Sequence, residues 1–308
     1  MIRNFHRFWI STLVLCVGLS LGSFASAEET TVQPSSSQTN IEPPVGMVDV
    51  PCLPHVASTA EHDMVVDLVT PEHPFANFLK GASRDTIAGL MQLKKDRDAE
   101  KARDWPGACR YKADNAALQG RSPRVVFMGD SITEYWTLAD PTLFGQDVVA
   151  RGISGQTTEQ MLTRFMQDVV DLKPRAVHIL GGTNDVAGNT GPNSPEDFKN
   201  TMRAMVWLAR ANHIAVVIGS IPPTNKFSWQ PKLKPAPRIG ELNAWLKTFS
   251  AEMHAEFVDY HTALAGPDGE LPTKFSNDGV HPNTAGYAIM RSLAEAAIKR
   301  ALRDAHHS

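Results

Sequence analysis

Four short stretches of this sequence carry side chains able to run nucleophilic chemistry. Gly129-Asp130-Ser131-Ile132-Thr133 follows a short apolar run and leads into a helix-length stretch. A serine so placed projects its hydroxyl beyond the end of a strand, over a helix N-terminus. Its backbone N–H then points to where an oxyanion would develop. Alone, the tripeptide is common and reads far more often as a helix N-cap than as a nucleophile. Asp278-Gly279-Val280-His281-Pro282 lies just before the last helix-length stretch. A carboxylate three residues ahead of an imidazole can share its turn, accept Nδ1–H and leave Nε2 free to take a proton from a serine.

Two further stretches offer hydrogen-bond donors. Arg151-Gly152-Ile153-Ser154-Gly155-Gln156-Thr157-Thr158 ends a second apolar run, and a glycine there presents its N–H with no side chain in the way. Gly181-Gly182-Thr183-Asn184-Asp185 ends a third, with an amide that can donate. Each block alone is an ordinary turn. Together and in this order they describe an acyl-transfer site. Removal of one oxyanion donor from such a site slows turnover by roughly 10² to 10³. A histidine base with a pKa near 6.5 makes activity rise through about pH 6 to 7.5.

The elements that must position these residues are regular from Arg124 onward. Strand-type runs fall at Arg124–Met128, Asp147–Arg151, Ala176–Leu180, Ala215–Ser220 and Glu256–Asp259. Between them lie helix patterns: Thr157 and Thr158 leading through Met161, Leu162, Phe165, Met166, Val169 and Val170; a capped start at Ser194-Pro195-Glu196-Asp197; then Arg238–His254 and Asn283–Arg303. Strands alternating with helices pair in parallel through crossovers, which predicts an α/β fold built as a three-layer α/β/α sandwich. In such sheets the chemistry gathers beyond the carboxyl ends of the strands, where the first three blocks stand.

With these blocks the chain resembles the SGNH, or GDSL, hydrolases over about residues 123–302. Within that family it is most similar to the branch that holds the platelet-activating-factor acetylhydrolase catalytic subunits and many bacterial acyl esterases. The resemblance implies Ser131 as nucleophile, His281 as general base and Asp278 as its orienting partner. It also implies an oxyanion hole formed by the Ser131 and Gly155 N–H groups and the Asn184 amide. A flavodoxin-like five-stranded parallel sheet follows from it, with no metal or other cofactor. Asp130 and Thr183 read as support for the site or part of its cleft. Trp136 reads as core packing and His178 as a satisfied core histidine. The proline-rich stretch 221–237 places Phe227 and Trp229 where they could wall a substrate cleft.

The remaining features bound location and partners. The chain has 308 residues, 42% hydrophobic and 20% charged, with a formal charge of −3 and no long block of one sign, which does not suggest a nucleic-acid partner. Arg3, His6 and Arg7, an apolar run from Phe8 to Leu21, and Ala25-Ser26-Ala27 read as a signal peptide over residues 1–27. Its removal takes Lys+Arg from 30 to 28 against 33 acidic residues, near −5, and leaves no stable membrane span. Export to the periplasm or outside the cell is therefore expected. Residues 28–47 read as a flexible linker, 48–122 as a mostly helical extension packed on the main domain, and 303–308 as a tail. Helix signals in the extension begin at Ser83, a cap ahead of Ile87, Leu90 and Met91. Cys52 and Cys109, left once Cys16 is cleaved away, are a candidate disulfide. The expected partner is a small-molecule or glycan ester carrying a short acyl group. Lysophospholipid or thioester cleavage, acyl transfer, and a non-catalytic glycan- or envelope-binding protein are the competing readings.

Overall fold

The computed structural model of the chain describes Cys52 and residues 59–70, 84–118 and 120–304. The expected signal peptide, linker, Ser83 cap and residues 305–308 lie outside the described residues. Five strands carry the fold: β1 (Val125–Gly129), β2 (Val148–Gly152), β3 (Ala176–Leu180), β4 (Ala215–Gly219) and β5 (Glu256–Val258). All pair in parallel in the order β2-β1-β3-β4-β5. β1 and β3 are buried along their whole length, because helices cover both faces.

The helices in chain order are α1 (Thr59–Val69), α2 (Arg84–Arg103), α3 (Lys112–Ala117), α4 (Ser131–Ala139), α5 (Thr158–Thr163) and α6 (Phe165–Asp168). They continue with α7 (Thr183–Ala187), α8 (Pro195–Ala211), α9 (Ala236–Glu252), α10 (Tyr260–Leu264) and α11 (Thr284–Asp304). Successive strand side chains point to opposite faces, so β1 feeds two cores. Val126 and Met128 join Phe165 and residues of α8 and α9, whereas Val125 and Phe127 join Trp136, Tyr287 and residues of α1. This is the expected three-layer sandwich.

Register decides where chemistry can happen. Gly129 pairs with Gly152 on one side and with Leu180 on the other. The loops after β1, β2 and β3 therefore leave the sheet side by side, where the strand order reverses about β1. Close packing there excludes a side chain at residue 152: a Cβ would lie 2.3 Å from Glu134 N and 2.6 Å from Asp130 O.

Two local expectations differ from what is found. The helix expected to run from Thr157 to Val170 breaks at Arg164 (φ −101°, ψ 4°) and ends in a 3₁₀ turn over Val170–Leu172. The bends let Phe165, Val169 and Val170 all enter the core while Met166 stays exposed, which one straight helix could not do. In the extension, α1 lies in a half with no evident helix signal. Its Val65, Leu68 and Val69 join the Val125–Phe127 core. Cys52 and Cys109 form a disulfide with Cα atoms 5.2 Å apart, closing a separation of 57 residues. A loop of that length stabilises the fold by about 4 kcal/mol in the chain-entropy account.

Candidate active site

Ser131 is the first residue of α4. The Asp130 side chain caps that helix by accepting from Ile132 N at 2.9 Å. This leaves the Ser131 hydroxyl free to turn outward, and it meets His281 Nε2 at 2.9 Å across 150 residues of sequence. His281 Nδ1 lies 2.7 Å from Asp278 Oδ2. The other oxygen, Oδ1, accepts from the N–H groups of Val280 and His281, both at 2.8 Å, and from the Ser276 hydroxyl at 3.2 Å. An antiparallel bridge between Ser276 and Pro282 closes the loop beneath this carboxylate. A half-buried carboxylate with three donors on one oxygen cannot turn, so its second oxygen stays aimed at the imidazole.

The electrostatics follow from this geometry. Burial penalises the imidazolium, but the Asp278 carboxylate outweighs it and holds His281 above the ordinary histidine pKa. Burial likewise opposes the charged form of Asp278, yet His281 keeps it below the ordinary value. Asp130 is fully buried, and burial pushes it up to about 7 despite the Ile132 hydrogen bond. The Tyr135 ring lies 5.1 Å from that of His281 and fixes its plane.

The expected donors Gly155 and Asn184 follow β2 and β3, the two strands that flank β1. Gly155 takes φ +78°, where L side chains are strained, and its N–H has no hydrogen bond among the described residues. Asn184, in the first turn of α7, is buried. Its Nδ2 donates to Gln156 O at 3.0 Å and to Asp130 Oδ2 at 3.2 Å, while Oδ1 accepts from Asn189. Thr183 is buried beside it, after Gly182 at φ +120°. Phe227 is 1% exposed and packs with Ala187 and Val280, so it braces the histidine loop from behind rather than walling a cleft. Trp229, half-buried, stacks on Phe227 and donates to Asn189 Oδ1 at 3.1 Å. Trp136 is fully buried. His178 donates to or accepts from Tyr260 Oη at 2.7 Å, but its Nδ1 has no partner among the described residues, so this core histidine is only half satisfied there. Burial lowers it to about 3, which keeps it neutral.

Several supporting contacts escaped sequence reasoning, although Glu134 is visible in the sequence as a neighbour of Ser131 able to shape the pocket. Glu134, one turn after Ser131, accepts from Ser154 N at 2.8 Å and pairs with Arg110 at 2.8 Å. Against burial, Arg110 and the Ser154 hydroxyl hold it below its ordinary value. This pins the Gly155 loop onto α4. Asp185 accepts from Thr158 N and Oγ1 and from Asn193, tying the third loop to α5; burial raises it to about 6. The extension braces both sides of the site. Asn277 donates to Asp67 O at 3.0 Å and Thr70 O at 2.7 Å, and Gln156 to Pro106 O at 2.7 Å. The usable signal was the density of Asn and Gln beside the motif residues, since amides there commonly bond backbone. No group of three or more His, Cys, Asp or Glu among the described residues is placed to hold a metal ion.

A sequence model of the GDSL-like lipase/acylhydrolase family matches residues 127–289. A Bacteroides fragilis structure assigned as an acylhydrolase superposes with TM-score 0.62 at 40% identity, covering 65% of this chain and 99% of that one. A Streptococcus pneumoniae structure assigned to platelet activating factor superposes with TM-score 0.53 at 25% identity, covering 70% of this chain and 98% of the other. The acetylxylan esterase of Geobacillus stearothermophilus is 29% identical over 155 residues, 47% of this chain and 69% of that enzyme. An uncharacterized lipoprotein of Bacillus subtilis is 51% identical over 41 residues, 13% of this chain and only 17% of that protein's length. The chain belongs to the GDSL-like lipase/acylhydrolase family, and with it to the carboxylic ester hydrolases.

Proposed function

We propose that the protein is an exported serine esterase that removes short acyl groups of the acetyl type from small-molecule or glycan esters. Ser131 is the nucleophile, His281 the general base and Asp278 its orienting partner. The observation that carries this is the unbroken chain from Ser131 Oγ to His281 Nε2 at 2.9 Å and from Nδ1 to Asp278 Oδ2 at 2.7 Å. His281 takes the hydroxyl proton as Ser131 Oγ bonds to the ester carbonyl carbon. The negative charge moves to the carbonyl oxygen, facing the N–H groups of Ser131 and Gly155. Asn184 joins them by sharing the hydrogen of its longer bond, the one to Asp130. The tetrahedral anion collapses, His281 protonates the departing alcohol, and water repeats the sequence on the acyl-enzyme to release the acid.

The short-acyl reading draws on the similarity to an acetylxylan esterase. Export draws on the basic, apolar and small-residue pattern of residues 1–27 and on the lipoprotein match. Among the described residues no helix is long and apolar enough to cross a membrane.

A panel of p-nitrophenyl esters from acetate to palmitate, with Ser131→Ala as blank, tests the reading. The expected kcat/KM is highest for acetate and falls about tenfold or more by octanoate, as a pocket shaped for a short chain requires. A fluorophosphonate probe is expected to label the wild type and spare the blank. A maximum at palmitate would remove the short-acyl reading. Failure to label or to turn over any ester would remove the nucleophile, and product diverted to a competing alcohol would indicate acyl transfer.

The pH dependence of the reaction follows from His281. Only neutral His281 can accept the proton, and its pKa lies above 6.5. kcat/KM is therefore expected to fall as pH drops through a midpoint higher than 6.5. Asp130 is one of the charges that raise His281, so Asp130→Asn should move that midpoint down. A wild-type midpoint at or below 6.5, the ordinary histidine value, would contradict the assignment.

A further inference from the structure

The segment from Lys101 to Arg110 lies outside residues 127–289, yet it stands against the loop that holds Gly155. Its backbone is fixed from several directions. The Asp104 carboxylate accepts from Ala108 N at 2.8 Å and Cys109 N at 2.7 Å. Trp105 O accepts from Gln160 Nε2 at 2.6 Å, Pro106 O from Gln156 Nε2 at 2.7 Å, and Cys109 carries the disulfide. A Cβ at Gly107 would lie 2.9 Å from Ile153 Cδ1, so the two loops meet at contact distance. Between them is a cleft of about 60 Å³ lined by Lys101, Trp105, Gly107, Ile153, Ser154 and Gln156 among others.

Two features of this cleft point to a ligand. Trp105 has a pinned backbone but leaves 46% of its surface in water, so a large indole is presented rather than packed. A Cβ on Gly155 would be 3.9 Å from Lys101 Nζ, which puts the ammonium beside the glycine whose N–H makes no hydrogen bond among the described residues. The cleft volume matches about two water-sized groups, enough for two hydroxyls but not for a ring. An exposed indole next to a polar slot suits a pyranose, whose C–H face lies on the ring while its hydroxyls enter the slot.

We propose that Lys101 and Trp105 form a sugar subsite beside the Gly155 loop, so that the alcohol half of the substrate is a pyranose unit of an O-acetylated oligosaccharide. Trp105 carries the apolar face of the sugar, and the Lys101 ammonium donates to a hydroxyl or ring oxygen. Both are specificity residues and neither touches the reacting atoms. The inference rests on the esterase reading of Ser131.

The experiment compares Trp105→Ala, Trp105→Phe and Lys101→Met in the full chain. Substrates are p-nitrophenyl acetate and acetylated xylo-, manno- and chito-oligosaccharides. Trp105→Ala is expected to raise KM about tenfold for the oligosaccharide the wild type prefers, with a much smaller change for p-nitrophenyl acetate. Lys101→Met should act in the same direction, and Trp105→Phe should restore most of the loss because a ring remains. Equal changes on both substrates would show that Trp105 only props the loop and would overturn the subsite. So would a wild type that cleaves p-nitrophenyl acetate but none of the oligosaccharides. A wild type inert toward p-nitrophenyl acetate as well would instead remove the esterase reading.

Discussion

Replacing Ser131 by alanine is expected to lower kcat by about 10⁴- to 10⁶-fold while leaving the melting temperature within a degree or two. The two halves of this expectation have different causes. In the proposed mechanism the hydroxyl is the atom that attacks, and a triad without it keeps only binding and oxyanion stabilisation. The helix that starts at residue 131 does not depend on it, because its cap is the Asp130 side chain bonded to Ile132 N. Alanine is also a good helix former at a first-turn position. His281→Ala should cost a similar factor, and the double variant little more, since the pair acts as a unit. Steady-state kinetics on p-nitrophenyl acetate with a thermal melt of the same samples reads both halves. A Ser131→Ala protein that folds and keeps more than a few per cent of wild-type turnover would place the nucleophile elsewhere.

Arg164→Leu is expected to destabilise the fold by about 3 to 5 kcal/mol. The guanidinium is 0% exposed and ties together the ends of two strands beside the site. Nε donates to Gln156 Oε1 at 2.7 Å and Nη1 to Asp168 Oδ2 at 2.9 Å. Nη2 bridges Gly129 O and Arg151 O, each at 3.0 Å. Those carbonyls end β1 and β2, immediately ahead of Ser131 and of the Gly155 loop. Leucine would leave Asp168 in a dry interior with Asn115 as its remaining side-chain partner among the described residues, which is the expensive way to break a buried pair. A companion Arg164→Leu/Asp168→Leu variant should recover part of the loss. kcat should fall in both, because the carbonyl bridge that aligns the strand ends is gone. Urea unfolding gives the measurement. A loss under about 1 kcal/mol would mean that the pair is solvated and that the strand ends are aligned by the sheet alone.

Much of this molecule is written in local pattern. The five strands begin and end within a residue or two of the apolar runs, because a parallel strand covered on both faces must be apolar throughout. The Ser194 cap with Pro195 reads directly as a helix start, and the structure has Ser194 Oγ accepting from Asp197 N. The Asp278-to-His281 pairing is likewise a matter of one turn, with only Gly279 and Val280 between the two residues.

Other features have no local signature. The break at Arg164 answers to strand carbonyls that no neighbouring residue announces. The Glu134–Ser154–Arg110 connection joins three segments through side chains that, read singly, look like ordinary surface charge and a loop serine. The place of residues 59–70 and 84–118 against the site depends on contacts spanning up to 210 residues, as between Asn277 and Asp67. Phe227 looked like a cleft aromatic by composition and became a brace for Val280 because the loop folds inward.

By itself, the sequence determined which groups are available for chemistry and on which elements they ride, since strand periodicity, caps and turn residues act over a few residues. The tertiary structure alone decided that Ser131 and His281 meet, that the extension stands beside Gly155, and which polar side chains hold these loops still. Those outcomes depend on strand register and on the partners a buried charge finds, and both are properties of the packed chain rather than of any short stretch of it.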